Sequence, residues 1–212
     1  MAPDRSVLRL GSRGSPLALW QAEAARDALA AAHPELASAG AVEIVPVRTT
    51  GDREQKRRLA EIGGKGLFTK ELEDALADHR IDVAVHSMKD VPTIFPDELA
   101  LRCITRREDP RDVLILRPGL KSWRDIPQEG RVGTSSLRRK SQLLHPRPDL
   151  HMLDIRGNVE TRIRKLTDDN LDAVVLAAAG IKRLGFAENI SEYLEPDVCL
   201  PSTLATTPVR SS

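Results

Sequence analysis

The sequence predicts an α/β protein built from two domains. Short apolar segments of strand length alternate with helix-length segments along the 212 residues, an alternation that favours parallel sheets. Hydrophobic residues make up 41% of the chain and aromatic residues only 3%, so the expected core is aliphatic. Asp109-Pro110-Arg111-Asp112 interrupts the alternation and is interpreted as a hinge. We therefore expect one α/β domain at residues 5–105, a second at 106–200 and an irregular tail at 201–212.

In the first domain, the pattern predicts four strands and two helices. The strands, which are apolar or alternate apolar with polar residues, are residues 7–10, 42–48, 82–86 and 99–105. A long Ala/Leu helix is predicted at residues 15–32, with Ser15 as its N-cap and Pro16 at its first position. A second helix at residues 67–79 places apolar side chains on one face. The polar, glycine-rich residues 51–66 between them indicate a mobile loop.

The second domain repeats the alternation. Its predicted strands are residues 113–116, 131–134, 151–155 and 173–177. Its predicted helices are a short one at 122–126, two longer ones at 136–144 and 159–166, and a small one near 181–184. Pro146 and Pro148 end the helix at 136–144, because proline cannot continue a helix.

Composition excludes several classes of function. A net charge of +1 argues against broad nucleic-acid or membrane-surface binding, and six aromatic residues offer no platform for stacking bases. Cys103 and Cys199 are too few for a disulfide framework and lack metal-ligand spacing. The polar N-terminus does not resemble a signal peptide, and no apolar run reaches membrane-spanning length. We expect a cytoplasmic monomer without a metal, a nucleic-acid partner or a membrane partner.

One segment predicts an anion site. In Val132-Gly133-Thr134-Ser135-Ser136-Leu137-Arg138-Arg139, a strand passes through small hydroxyl residues into a helix that carries two arginines. Helix N–H groups, hydroxyls and guanidinium groups would converge there on one anion. The macrodipole disfavours cations in a first turn, so an anionic ligand is favoured over a solvated face for Arg138 and Arg139. Arg156-Gly157-Asn158 and Gly11-Ser12-Arg13-Gly14-Ser15 repeat the pattern more weakly.

Asp90 places a carboxylate in a basic neighbourhood, directly after a predicted strand and beside Lys89. Ligands of parallel α/β sheets bind outside the carboxyl ends of the strands, where all of these motifs lie. Asp90 is either an ordinary turn aspartate or an ionised group that steers protons and stabilises a substrate cation. Lys89 is either solvated or directed into the cleft.

Several other motifs favour structural explanations. Arg162 and Arg164 lie inside a helix, where a surface role is the simpler interpretation, and Arg183 beside Lys182 is ambiguous. Gly63-Gly64-Lys65-Gly66 lacks the spacing of a nucleotide-binding phosphate loop. The five histidines show no metal-ligand spacing, and His86 fits a core or supporting position.

Together these motifs resemble the porphobilinogen deaminase (hydroxymethylbilane synthase) family, over residues 7 to about 202. The matching segments are residues 10–21 (LGSRGSPLALWQ), 60–72 (AEIGGKGLFTKEL), 82–92 (DVAVHSMKDVP), 107–112 (REDPRD), 132–139 (VGTSSLRR), 154–162 (DIRGNVETR) and 177–185 (AAAGIKRLG). The resemblance implies two periplasmic-binding-protein-like domains with a cleft between them. It also implies a transferase of haem and tetrapyrrole biosynthesis. Such enzymes join four porphobilinogen molecules head to tail with loss of ammonia, on a dipyrromethane cofactor.

The resemblance also implies roles for individual residues. Asp90 is the expected catalytic carboxylate, and Lys65 is expected on a loop over the cleft. Because each pyrrole carries two carboxylates, the substrate- and cofactor-binding residues are cationic or carry hydroxyls. They are expected to be Arg13, Ser15, Lys65, Lys89, Thr134, Ser135, Ser136, Arg138, Arg139, Arg156, Arg162 and Arg183.

Two departures from the family pattern accompany the resemblance. Glu61 stands where some members carry lysine. After Leu200-Pro201 the family pattern continues with a glycine-rich return strand and a third α+β domain, which holds the cysteine that attaches the cofactor. We expect both to be absent here, so this chain has no attachment cysteine and no turnover alone. The alternative is a non-catalytic, two-lobed anion-binding protein.

Overall fold

A computed structural model describes residues 7–53, 68–92, 94 and 96–202. The chain divides into two compact units, Met1–Cys103 and Ile104–Ser212, and each has a sheet of its own. The predicted α/β class is confirmed, since helices and strands alternate in both units.

The first unit contains a parallel three-stranded sheet in the order β2-β1-β3. Its strands are β1 (Leu8–Arg13), β2 (Val42–Val47) and β3 (Val83–Ala84). Its helices are α1 (Pro16–Ala32), α2 (Thr50–Arg53) and α3 (Lys70–Ala77), with 3₁₀ turns at Pro34–Leu36 and Met88–Asp90. The Ser15 hydroxyl accepts the N–H of Ala18, which confirms Ser15 as the N-cap of α1.

Three expectations for this unit are wrong. β1 runs on to Arg13, because Gly11 and Ser12 continue the parallel pairing with β2 instead of forming a turn. The strand expected at 82–86 is reduced to Val83–Ala84, and Val83 is 42% exposed rather than buried. Residues 99–105 form no strand, and Cys103 there is exposed, although that apolar segment is typical of inert packing.

The second unit contains a five-stranded mixed sheet in the order β6-β5-β7-β4-β8. Its strands are β4 (Asp112–Leu116), β5 (Arg131–Gly133), β6 (His151–Leu153), β7 (Ala173–Ala177) and β8 (Glu192–Leu194). Its helices are α4 (Leu137–Leu144), α5 (Val159–Asp168) and α6 (Ala178–Arg183), with 3₁₀ turns at Trp123–Asp125 and Ala187–Asn189. Ser136 and Asn158 cap α4 and α5 with their side-chain oxygens.

The direction of β4 corrects the expectation of parallel sheets. β5 is parallel to β6 and β7, whereas β4 is antiparallel to β7 and β8. The apolar runs of β4 and β7 are buried on both faces, which a fully covered sheet allows for strands of either direction. Asp112 is paired with Ala177, so the start of β4 lies at the edge where β5, β6 and β7 end.

Within the described ranges, no helix combines the length and apolar character needed to cross a membrane. The same ranges hold no group of three or more His, Cys, Asp or Glu side chains that could bind a metal ion.

Candidate functional site

The strongest candidate site lies at one edge of the second unit's sheet. β5 ends at Gly133 and leads through the hydroxyl segment into α4, and β6 leads to Arg156 and α5. Because β4 is antiparallel, its first residue, Asp112, lies at the same edge. The fold therefore places one carboxylate beside the arginine-bearing helix starts.

Asp112 binds both arginines of the VGTSSLRR segment. Its Oδ2 lies 2.6 Å from Arg138 Nη2, and its Oδ1 lies 2.7 Å from Arg139 Nη2. The Asp112 side chain is only 2% exposed. Burial raises the pKa of this carboxyl, but the charges and hydrogen bonds of Arg139 and Arg138 outweigh burial and hold the pKa below its usual value.

This contact corrects the reason for expecting a ligand at Arg138 and Arg139. Both arginines do lie in the first turn of α4, where the helix dipole disfavours a cation. The anion that offsets this penalty is supplied by the protein itself, as the Asp112 carboxylate. Their position at a helix start is therefore not by itself evidence for a bound anion.

Further hydrogen bonds hold the Arg138 and Arg139 guanidinium groups in place. Arg139 Nη1 donates to the carbonyl of Val175 at 3.1 Å, and Arg138 Nη1 donates to the carbonyl of Leu200. The Gln142 side chain binds both backbone groups of Leu200. Its Oε1 accepts the Leu200 N–H at 2.7 Å, and its Nε2 donates to the Leu200 carbonyl at 3.3 Å. Arg139 Nε is buried and has no hydrogen-bond partner among the described residues.

Arg162 carries the least compensated charge of this edge. Its Nε donates to the Gly157 carbonyl at 2.8 Å, and no carboxylate of the described residues contacts it. Burial lowers the pKa of the Arg162 guanidinium, and the positive charges of Arg139 and Arg156 lower it further. Arg139, Arg156 and Arg162 therefore form a cluster of neighbouring cations, which we call the arginine cluster.

The hydroxyl residues after β5 already serve the local backbone. Ser135 donates to the Ile155 carbonyl at 2.6 Å, which uses its only hydroxyl proton. Thr134, which is buried, and Ser136 act as acceptors, from the N–H groups of Ser136 and Arg139. Thr134 and Ser136 therefore keep a hydroxyl proton to donate to a ligand, whereas Ser135 does not.

Arg183 is the last residue of α6, the helix that directly follows β7. It is partly buried and belongs to the same unit as the arginine cluster.

In the first unit, Arg13 lies at the carboxyl end of β1 and is already paired. Its guanidinium binds the Asp52 carboxylate and stacks 4.2 Å from the centre of the Phe68 ring. Burial raises the pKa of Asp52, but hydrogen bonds from Arg13 and Thr49 outweigh it and leave the pKa lowered. Ser15 caps α1 with its oxygen and keeps its hydroxyl proton.

Asp90 ends the 3₁₀ turn that follows β3, and it lines a small concavity within the first unit. Arg13, Gln21, His86 and Ser87 line the same concavity, and the Ser87 hydroxyl donates to the Gln21 side chain at 3.0 Å. Asp90 and Arg13 therefore lie at the same concavity. Lys89 of the same turn is exposed, and Lys65 lies outside the described residues.

The two cysteines have opposite environments. Cys199 is fully buried, lies 3.4 Å from Asp112 Oδ2 and receives Arg138 Nη1 at 3.5 Å. Burial, reinforced by the charge of Asp112, raises the pKa of the Cys199 thiol to about 11. Cys103 is exposed. A reactive cysteine needs a lowered pKa and access, and Cys199 has neither.

Two acidic residues of these sites were missed by sequence reasoning. Asp52 lies in the segment that was interpreted as a loop, and nothing in the sequence links it to Arg13. Asp112 was assigned to a hinge, although one signal was available: it opens a run, Asp112-Val113-Leu114-Ile115-Leu116, that is otherwise wholly apolar. A charge at the end of a buried strand requires a partner.

Comparison with known proteins finds sequences similar to most of this chain. Residues 8–206 match the family described as "Porphobilinogen deaminase, dipyromethane cofactor binding domain". The chain is 57% identical over 202 residues to a porphobilinogen deaminase of Geobacter metallireducens, covering 95% of this chain and 61% of that protein. It is 55% identical over 197 residues to the same enzyme of Syntrophotalea carbinolica, covering 93% and 61% respectively.

The chain thus spans about three-fifths of the length of these curated relatives. Among solved structures, one similar chain is the probable amino-acid ABC transporter extracellular-binding protein YtmK of Bacillus subtilis. The TM-score is 0.47 and the identity 11%, over 93% of this chain and 80% of that one. On the match of residues 8–206, this chain belongs to the porphobilinogen deaminase family.

Proposed function

We propose that this chain provides the substrate-binding and cofactor-binding domains of a porphobilinogen deaminase. This enzyme is a transferase that joins four porphobilinogen units into hydroxymethylbilane. In each addition, the aminomethyl carbon of the incoming unit loses its amino group and forms a carbon–carbon bond to a ring carbon of the growing chain. The proton of that ring carbon balances the release of the amino group as ammonia, and water finally releases the tetrapyrrole as hydroxymethylbilane. The observation that carries the proposal is Arg162, a partly buried cation with two cationic neighbours and no carboxylate bound to it. Such a group is stabilised by an anionic ligand, and porphobilinogen carries two carboxylates.

The arginine cluster offers donors that fit the carboxylates of pyrrole ligands. Arg139 Nε is a buried donor that still lacks a partner, and Thr134 and Ser136 retain hydroxyl protons nearby on the segment that enters α4. Guanidinium forks match carboxylates in a bidentate manner. We propose that Arg138, Arg139, Arg156, Arg162 and Arg183 bind carboxylates of substrate and cofactor in the second unit. We assign the same role to Arg13, Ser15, Lys65 and Lys89 in the first.

A dipyrromethane cofactor fits these donors through its carboxylates, and when bound it supplies the pyrrole to which new units are added. Neither cysteine suits its covalent attachment: Cys199 is buried with a raised pKa, and the exposed Cys103 thiol has no hydrogen-bond partner among the described residues to hold it at a site. We therefore propose that this chain contributes binding groups for the cofactor but no attachment site.

For the chemistry, we propose that Asp90 accepts and donates protons at the substrate nitrogens through its carboxylate oxygens. Asp90 lines the same concavity as Arg13, where its carboxylate can also stabilise a cationic pyrrole. We further propose a cytoplasmic monomer. We also propose that it has no nucleic-acid or membrane partner, which the net charge of +1 supports. Light scattering on the purified chain should then give the mass of a single chain, and a dimer mass would contradict it.

Calorimetric titration of the chain with porphobilinogen tests the binding site. Arg162→Gln should weaken binding by about 1.5–3 kcal/mol, the value of a charge-assisted hydrogen bond. Arg164→Gln is the matched control, since Arg164 lies on the same helix with its side chain 65% exposed. Wild-type affinity in Arg162→Gln, or an equal loss in both variants, would contradict the proposal.

Ammonia release tests the role of Asp90, in a full-length version of the protein. Asp90→Asn should keep the fold and porphobilinogen binding but lower the rate by about 10²–10⁴-fold, as expected for lost acid–base assistance. Unchanged release would make Asp90 an ordinary turn residue. Binding without any release in the unsubstituted full-length protein would favour a non-catalytic anion-binding role.

A further inference from the structure

We propose that Asp112 is a positioning residue: its carboxylate holds the Arg138 and Arg139 guanidinium groups in the geometry that receives an anionic ligand. The identity of that ligand rests on the proposed function, whereas the positioning itself rests on contacts within the second unit. Asp112 was not among the residues that the sequence assigned to the site.

The contacts favour positioning because one carboxylate holds two guanidinium groups, one on each oxygen. Asp112 Oδ1 accepts from Arg139 Nη2 at 2.7 Å and Oδ2 accepts from Arg138 Nη2 at 2.6 Å. The carboxylate is almost fully buried, whereas the Arg138 and Arg139 side chains remain 30% and 12% exposed. The shared anchor is therefore fixed within the unit, and the two arginine side chains retain some access to solvent.

Asp112 leaves the pair able to bind an anion. Two guanidinium groups and one carboxylate keep a net positive charge, to which Arg156 and Arg162 add. Arginine has five N–H donors, and the buried Arg139 Nε has no partner among the described residues. The pair is thus held by some donors while others remain for a ligand.

Positioning has a physical benefit for binding. A free arginine side chain loses much rotamer freedom when a ligand immobilises it, and this loss weakens binding. Here folding has already fixed both side chains against Asp112, Val175 and Leu200. The ligand therefore meets donors whose freedom is already restricted.

A role of Asp112 through its charge alone and a positioning role predict opposite effects of Asp112→Asn on ligand affinity. The substitution removes a negative charge beside an anion site, so a role through charge alone predicts tighter binding. It also replaces one oxygen by an N–H₂ group that faces a guanidinium donor, so positioning predicts weaker binding. Asp112→Glu keeps the charge but displaces the oxygens by one methylene, and positioning again predicts weaker binding.

The experiment titrates porphobilinogen into the chain and its Asp112→Asn, Asp112→Glu and Asp172→Asn variants, with thermal melting to check folding. Asp172 is the matched control: its side chain is 13% exposed, and it pairs with Arg117 and with the N–H of Arg131, which begins β5 at the opposite edge. We expect binding about tenfold weaker in both Asp112 variants and unchanged in Asp172→Asn. Unchanged or tighter binding in a folded Asp112 variant would overturn the inference.

A second readout needs no ligand. Phenylglyoxal modifies accessible arginines, and peptide mapping gives the rate at each residue. Arg138 should react several times faster in Asp112→Asn than in the wild type or in Asp172→Asn, because its guanidinium is released. Equal rates would overturn the positioning role even if porphobilinogen binds. Absence of porphobilinogen binding in the wild type, with a faster Arg138 reaction in the variant, would overturn the proposed function alone.

Discussion

Asp112 and its two arginines form a buried ionic group whose stability depends on all three members. Removing water from a carboxylate is costly, and the cost is recovered only through close pairing and further hydrogen bonds. Both carboxylate oxygens are paired here, and the Cys199 thiol donates to one of them. Loss of the Asp112 charge would leave two partly buried cations without their partner.

This arrangement predicts a pH dependence of stability. The pKa of Asp112 is lowered in the folded chain, so its contribution is fully present above the unfolded pKa, near pH ~4, and is lost as the pH falls through the folded value. Asp112→Asn should therefore lower stability by about 1–3 kcal/mol near neutrality. The difference should shrink as the pH falls from ~4, where the unfolded chain takes up this proton, through the lower pKa of the folded chain.

Urea unfolding between neutral and acid pH measures this difference. In a Trp20→Phe background, Trp123 is the remaining tryptophan and reports on the second unit. If the stability difference between the wild type and Asp112→Asn stayed constant to low pH, Asp112 would not be the ionised group that stabilises the folded chain.

At the scale of the elements, the turn between β6 and α5 sets the position of Arg162. Gly157 has a φ of 111°, in the region that favours glycine, and this turn directs its carbonyl to Arg162 Nε. A Cβ at Gly157 would lie 2.7 Å from Thr161 Cγ2. The glycine is therefore required twice, by the backbone angle and by the close approach of α5.

Gly157→Ala should destabilise the second unit and weaken porphobilinogen binding. Gly185→Ala is the matched control, since Gly185 has a φ of 76° but nothing within 4 Å of an added Cβ. The control should cost about 1–2 kcal/mol for the backbone angle, and Gly157→Ala more, because it adds the clash. Trp123 fluorescence in urea and calorimetric titration measure the two effects. Equal stability and equal affinity in the two variants would show that the Thr161 contact does not matter.

The elements also show how far the sequence could be interpreted. The strand at 173–177 and the helix after Ser136 were predicted because an apolar run and a cap are local signals. The direction of β4 depends on which strand it pairs with, and no local signal records that choice. β8 was missed because its three residues are too few to show a period. The apolar segment 99–105 has strand composition but no partner strand among the described residues.

In the candidate site, too, some residues could be predicted from local sequence signals and others depend on tertiary contacts. Arg13, Asp90, Arg138, Arg139 and Arg156 follow strand ends and were predicted from that placement. Arg162 lies inside a helix and was favoured only by family resemblance, since burial beside two other arginines is a tertiary property. Asp112 required the antiparallel direction of β4, which places a strand start among strand ends.

On the scale of the whole molecule, each unit contains one cysteine in a different state. Cys103 is the last residue of the first unit and is exposed, whereas Cys199 lies in the core of the second. With iodoacetamide, the native chain should therefore gain one label rapidly and a second only after unfolding. Two rapid labels would contradict the burial of Cys199.

Incubation with porphobilinogen extends this test. Intact mass spectrometry should find no thioether-linked dipyrrole on either cysteine. The Cys199 thiol is buried and has a pKa of about 11, and the exposed Cys103 thiol has no hydrogen-bond partner among the described residues to hold it against a pyrrole. The same sample should release no ammonia above background. A dipyrrole adduct on either thiol, together with turnover, would contradict the absence of an attachment site.

The Gln142 side chain binds both backbone groups of Leu200, so the Leu200 N–H responds to changes at Arg138. Gln142 accepts the Leu200 N–H, and the Leu200 carbonyl is shared between Gln142 and Arg138. An anion that binds Arg138 in its fixed position competes with the Leu200 carbonyl for the guanidinium charge and weakens that shared hydrogen bond. The change then passes through the Gln142 amide to the Leu200 N–H. The hydrogen-exchange rate of one backbone amide, outside the anion site itself, thereby records whether the site is filled.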